Sequence, residues 1–237
     1  NWQFSLSDRR AKLAAMMFLR SILLILALWP FLPTSAAEES GWSGFVELSS
    51  DYMWRGRTET RHHPAWQGEF DAWDGPFYAG VWYSRVDFGD GYAPVEVDPY
   101  VGATIDLELV QLVIGLGASA YPVQPKHADM NDIEGKIGLT RHFGNLLLAI
   151  AANDRIDLLD RSQYYEASGT YDFDAHWKVS LGLGDYRGSH DYGQGTGTVQ
   201  YAFDERWAAL LSYAATTRAE LGVDYQPSLA FSLKFTL

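Results

Sequence analysis

The sequence contains no cysteine, which excludes a disulfide scaffold, a thiolate zinc site and a cysteine nucleophile. Basic residues are scarce. Eighteen Lys and Arg stand against 30 Asp and Glu, a formal net charge of −12, and a nucleic-acid binder would show a basic face instead. Long apolar runs are also missing but for one, so a bundle of membrane helices is excluded. What is present is unusual. Nine Trp, 14 Tyr and 12 Phe accompany 22 Gly in a chain whose mean hydropathy is only −0.16. So many rings exclude disorder, and 237 residues are enough to bury a sizeable interior in one large domain or two small ones.

The single apolar run is 21–33, SILLILALWPFLP, with Arg9, Arg10, Lys12 and Arg20 before it and Thr34-Ser35-Ala36-Ala37 after it. A basic start, a short apolar middle and a small-residue end predict a secretory signal peptide. Cleavage is expected after Ala37, with Ala36 as the neighbouring choice. An uncleaved anchor is the alternative, and the run falls short of the ~20 residues a spanning helix needs. Met16-Met17 precede Arg20, so residues 1–37 are read as upstream residues plus a cleavable signal, and 38–237 as the mature domain. Loss of four basic residues and one acidic one takes the net charge from −12 to −15. An exported, acidic chain without cysteine suits the bacterial envelope.

From Ser43 onward the period is two, the signature of strands. Val46, Leu48, Tyr52 and Trp54 share one face, with Glu47, Ser49, Asp51 and Arg55 on the other; Leu229, Phe231, Leu233, Phe235 and Leu237 likewise oppose Ser228, Ser232, Lys234 and Thr236. No stretch of a dozen residues carries a helical stripe. Twelve segments emerge (ten to fourteen by looser bounds): 43–56, 64–73, 76–88, 95–106, 108–121, 132–143, 145–155, 163–173, 176–186, 192–203, 206–216 and 227–237. Very short connections alternate with longer polar ones at 57–63, 89–94, 122–131, 156–162, 187–191 and 217–226. The fold class predicted is all-β: one antiparallel transmembrane β-barrel in the bacterial outer membrane, with short periplasmic turns and longer outer loops. A soluble barrel or sandwich, apolar stripe inward, is the competing reading, because alternation alone does not tell inside from outside. Rings at segment ends (Trp66, Trp73, Phe143, Phe173, Trp177, Phe203, Trp207) and charges of both signs on one stripe favour the membrane barrel.

On this assignment Glu47, Asp51, Arg55, Gln67, Glu69, Asp71, Arg85, Asp87, Glu96 and Asp98 face the lumen. Arg55 and Arg85 are expected to pair with carboxylates of adjacent strands in a polar ladder along one wall. Such a ladder either charges a pore or merely satisfies buried polar groups and fixes register. Lumen carboxylates outnumber basic residues, which predicts cation preference. Tyr83, Tyr100, Tyr121 and Tyr164 are expected to point inward, where they would narrow the lumen. No catalytic, metal or cofactor residue is assigned. The sequence offers no nucleophile elbow, His62-His63 read as solvated loop residues, and GQGTG at 193–197 lacks the Lys and Ser/Thr of a phosphate loop.

The stretch 49–102 carries Ser50-Asp51-Tyr52, Arg55-Gly56, Pro64-Ala65, Gln67-Gly68, Asp71, Phe77-Tyr78-Ala79-Gly80-Val81-Trp82, Val86-Asp87-Phe88, Glu96, Asp98 and Tyr100. In these marks, in this order, it resembles the TorF family of outer-membrane porins, also described as Gcw-type conserved hypothetical bacterial proteins. Arg85 stands where the pattern has Asn, and the chain ends in Leu237 rather than an aromatic. The resemblance implies an outer-membrane barrel that lets small hydrophilic solutes diffuse passively, with outer-membrane lipid and the barrel-assembly machinery as partners and no nucleic acid. A non-conducting barrel with a structural or adhesion role is the alternative, and an outer-membrane lipid hydrolase a more distant one.

Overall fold

Alternating side chains make each segment a strand with one apolar and one polar face, and a closed sheet lets all of them satisfy their backbone groups without an edge. The computed structural model describes residues 40–89, 94–124, 131–156 and 161–237. The signal-peptide reading lies outside the described residues. Among the described residues no helix is long and apolar enough to cross a membrane, which says nothing about strands.

The strands are β1 (Gly41–Ser49), β2 (Met53–Trp54), β3 (Arg57–Thr58), β4 (Ala65–Asp74), β5 (Phe77–Arg85), β6 (Val95–Asp106), β7 (Gln111–Ser119), β8 (Asp132–Phe143), β9 (Leu146–Arg155), β10 (Gln163–Asp172), β11 (Trp177–Arg187), β12 (Tyr192–Ala202), β13 (Trp207–Thr216) and β14 (Ser228–Thr236). Twelve of them close an antiparallel barrel, each paired with its chain neighbour and β1 sealed against β14, while β2 and β3 form a separate hairpin. At the seam Glu47 stands opposite Lys234 and Leu48 opposite Leu233. A twelve-stranded barrel with alternating short turns and long loops is what the sequence predicts.

The turn end is held by local chemistry. Gly75 (φ +56°) and Gly144 (φ +59°) take left-handed conformations that a side chain would strain. Two other turns repeat one device. In 173–177 and 203–207, which read FDAHW and FDERW, the Asp174 and Asp204 carboxylates each accept two backbone N–H groups at 2.8 Å. These are Asx turns, which let an acid replace the glycine.

The outer face is apolar and exposed. Trp42, Phe70, Val101, Ile150, Leu181, Leu183, Leu229 and Phe231 all stand on it, and Trp42 stacks on Phe70 with centroids 5.8 Å apart. Rings gather at the turn end, where Trp207 meets Phe235 at 4.8 Å and Tyr171 meets Phe173 at 4.8 Å. The apolar cluster of fully buried residues is small and sits at the loop end: Tyr52, Ala65 and Val86, backed by Trp82, Phe88 and Tyr121. Such a molecule is inside-out relative to a soluble barrel.

Two expectations are corrected here. The first strand ends at Ser49 rather than at 56, and residues 51–60 fold inward, largely buried, while 61–64 stay exposed. Arg85 and Tyr83 lie on the outer face. Asp74 pairs with Phe77, so odd positions of β4 stand opposite even positions of β5. The inward set on β5 is therefore Tyr78, Gly80, Trp82 and Ser84, and Arg85 follows Val81 and Tyr83 outward, where its Nη1 donates to the Pro64 carbonyl at 2.8 Å.

Candidate functional site: the lumen and its inserted hairpin

The first loop is folded inward by one acid. Asp51 is buried, with 3% of its surface exposed, and its Oδ1 accepts from Thr58 Oγ1 at 2.5 Å and Thr60 Oγ1 at 2.8 Å. Its Oδ2 accepts from the Ser228 hydroxyl on β14 and from His62 Nδ1, 2.9 Å away. A carboxylate has acceptor sites for all four donors. The Thr-x-Thr spacing in 58–60 thus turns the chain back on Asp51. Three non-glycine residues of this loop, Arg55, Arg61 and His62, take positive φ, a cost that persists only where surrounding bonds hold it.

Past Asp51 the β2–β3 hairpin crosses the lumen. Arg55 Nη1 and Nη2 donate to the two oxygens of Glu134 on β8, at 2.7 and 2.6 Å, and its guanidinium lies 4.3 Å from the centre of the Tyr164 ring on β10. Bidentate geometry of this kind fixes orientation as well as charge. Gly56, at φ +80°, passes so close to the far wall that an added Cβ would lie 2.6 Å from Gln194 Cβ. Arg57 donates to Glu59 Oε1 at 2.8 Å and to the Tyr225 hydroxyl at 3.2 Å. Burial pushes the Glu59 carboxyl above its ordinary pKa, and the Arg57 charge only partly opposes it.

The expected ladder along one wall is thus replaced by a crossbar. Arg55 pairs with a strand on the opposite side of the barrel rather than with an adjacent one. Glu47 lies on the inner face of β1, and Gln67, Glu69 and Asp71 alternate along β4 beside Ser84, Trp82 and Gly80. Glu96 and Asp98 stand on β6, where Glu96 accepts from the Tyr121 hydroxyl at 2.7 Å. Asp87 lies beyond the end of β5. It accepts from Gly89 N at 3.0 Å and stands 3.3 Å from His63 Nδ1, and its pKa is held low first by that backbone N–H. His62 and His63 are both exposed, as loop residues are expected to be, but His62 also braces Asp51 through Nδ1.

Beneath the hairpin lies a cavity of about 570 Å³ lined by Tyr52, Trp54, Arg55, Gln67, Glu69, Asp71, Tyr78, Trp82, Asp98, Tyr100, Asp132, Glu134, Lys136 and Asn153 among others. Glycines keep it open. An added Cβ at Gly102 would lie 2.3 Å from Tyr78 Cζ and one at Gly80 2.5 Å from Tyr100 Cζ, so the two rings lie against the wall where side chains are missing. The Tyr100 hydroxyl reaches Glu69 Oε1 at 2.6 Å and Asp71 Oδ1 at 2.5 Å. Asp132, Glu134, Lys136 and Asn153 were missing from the sequence-based set; the inward alternation of β8 and β9 is the signal that places them there.

The Ser228, His62 and Asp51 group superficially suggests hydrolysis. Ser228 is buried, and its hydroxyl is held by the Asp51 carboxylate and faces His62 Nδ1 at 3.3 Å, whereas a nucleophile would be open to substrate. Among the described residues no group of three or more His, Cys, Asp or Glu side chains is placed to hold a metal ion.

A closed twelve-stranded barrel with a polar lumen is the fold of known outer-membrane porins. The NanC porin superposes with a TM-score of 0.56 at 11% identity, over 83% of this chain and 98% of that one. The KdgM porin gives 0.58 at 7% identity, over 82% and 98%, and an outer-membrane channel from Pseudomonas putida F1 gives 0.50 at 10%, over 86% and 97%. A comparison with curated protein sequences finds no match. The chain belongs to the Gcw_chp family of bacterial proteins of unknown function, whose profile matches residues 34–229.

Proposed function

We propose that the protein is an outer-membrane porin of the TorF type, passing small hydrophilic solutes passively and preferring cations. Residues 1–37 then serve export, lipid surrounds the barrel, and the assembly machinery inserts it. The observation that carries the reading is the pairing of an apolar outer face with a cavity that is polar on its β4, β6 and β8 walls. Water is expelled from the first and retained by the second. The likeness in fold to porins supports it. No cofactor is required. A second reading, a non-conducting barrel, is favoured by one feature: the hairpin that fills part of the lumen.

Single-channel recording of the refolded protein in planar bilayers separates the two. Discrete conductance steps are expected, with a reversal potential in a KCl gradient that favours K⁺. A sealed bilayer overturns the porin reading, and an anion-selective reversal potential overturns the cation preference.

A further inference from the structure

We infer that the solute path is confined to the half of the barrel bounded by β4 to β9, and that Glu69, Asp71 and Asp98 set its charge preference rather than the lumen carboxylates at large. The inference deepens the porin reading and rests on it for its selectivity half.

The hairpin divides the lumen. It leaves the wall at β1 and β4 and touches β8 through Glu134, β10 through Tyr164 and β12 through Gln194. On the β10–β14 side the loop end is filled. Tyr186 stacks on Tyr192 at 5.1 Å, Tyr192 meets Tyr225 edge-on at 5.4 Å, and Gln194 Nε2 donates to the Tyr164 hydroxyl at 2.6 Å. Ala214 and Ala230, inward on β13 and β14, are 1% and 2% exposed. No solute passes through rings packed at van der Waals distance. The other side holds the 570 Å³ cavity.

Within that cavity the carboxylates are not equivalent. Glu134 is neutralised by Arg55 at 2.6 Å, and Asp132 faces Arg155 at 3.6 Å. Glu69, Asp71 and Asp98 have no Lys or Arg within ion-pair distance among the described residues. Tyr100 carries one hydroxyl proton and faces both Glu69 and Asp71, so it serves only one of these acceptors at a time. Asp98 Oδ1, shielded from solvent, has no hydrogen-bond partner among the described residues. Unneutralised carboxylates on a narrow wall attract a passing cation, whereas paired ones do not.

Because the chain has no native cysteine, a single introduced thiol reports on each half. At Gly117, a lining position of the cavity, an added Cβ meets nothing closer than 3.6 Å. Labelling of folded protein in detergent with a small cationic thiosulfonate, followed by mass spectrometry, is expected to be at least roughly tenfold faster for Gly117→Cys than for Ala214→Cys, as buried positions react only on local opening. Each variant is first checked for heat-modifiable gel mobility, the sign of a folded barrel. Equal rates overturn the division of the lumen, whether or not the protein conducts. In bilayers, the Glu69→Gln/Asp71→Asn double variant and Asp98→Asn are each expected to lower the K⁺/Cl⁻ permeability ratio by roughly threefold or more. Asp172→Asn, in the other half and paired with Lys178 at 3.2 Å, is expected to leave the ratio unchanged. A ratio that falls as far in Asp172→Asn as in the cavity variants overturns the assignment of selectivity, while a sealed bilayer overturns the porin reading and leaves the labelling result to decide the division.

Discussion

Asp51 shows how much one side chain organises. Four donors converge on its two oxygens, three from the first loop and one from the last strand, so it ties the inserted hairpin to the seam where the barrel closes. Asp51→Ala would leave the buried Thr58 and Thr60 hydroxyl donors without an acceptor, each costing about 1–3 kcal/mol. The expected outcome is release of the loop, read as proteolytic cleavage between residues 50 and 64 in a barrel that keeps its folded gel mobility. Arg55 and Glu134 offer a second measurement at this scale. Both are partly shielded, and removing one partner of a charged, bidentate pair costs about 1.5–3 kcal/mol. A double-mutant cycle with Arg55→Met and Glu134→Gln, scored by urea midpoint in lipid vesicles, is expected to show coupling; additive effects would mean the crossbar contributes nothing to stability.

At the level of elements, each strand presents two environments, and substitution should distinguish them. Leu181 on β11 points outward and is 64% exposed. Leu181→Arg is expected to cost about 2–4 kcal/mol when the barrel folds into lipid, as for a charge at mid-depth on a lipid face. An unchanged stability in vesicles would contradict the membrane reading. The turns carry a pH signature. Backbone N–H groups of Trp177 and His176 hold Asp174 below its ordinary pKa, and those of Arg206 and Trp207 do the same for Asp204. A depressed pKa in the folded state stabilises the fold above the ordinary carboxylate pKa, and that contribution is lost as the pH falls through the folded-state value. Thermal stability of the wild type should therefore drop on acidification below about pH 4 more steeply than that of Asp174→Asn/Asp204→Asn. Parallel curves would remove the turns from the acid response.

The whole molecule depends on closure. β14 pairs with β1 and β13 alike, with Ser232 Oγ bonded to Ser49 Oγ at 2.9 Å across the seam. Removing residues 228–237 would leave two unpaired edges, which a membrane does not tolerate. No heat-modifiable folded species is expected from that truncation on gels; recovery of one would show that an eleven-stranded sheet suffices. At this scale the sequence is highly legible. Period-two alternation and the short–long rhythm of connections report local properties, and they located all twelve barrel strands to within a few residues, apart from the first strand, which ends seven residues earlier than expected. Arg85 was misplaced because it ends its strand, where one polar residue does not reveal the parity that the 74–77 turn imposes. The crossbar was hidden for a different reason. Arg55 and Glu134 are 79 residues apart, and no local pattern marks a loop that turns inward rather than outward.

The sequence by itself determined the barrel, its strand number and the division of each strand into an apolar and a polar stripe, because these follow from nearest-neighbour alternation and turn chemistry. It also placed an excess of carboxylates on the polar stripe. Only the tertiary structure decided which of those carboxylates remain unneutralised and which half of the lumen stays open. Both depend on where residues 50–64 go, and that is set by long-range bonds to Ser228, Glu134 and Tyr225, whose geometry exists only once the sheet has closed.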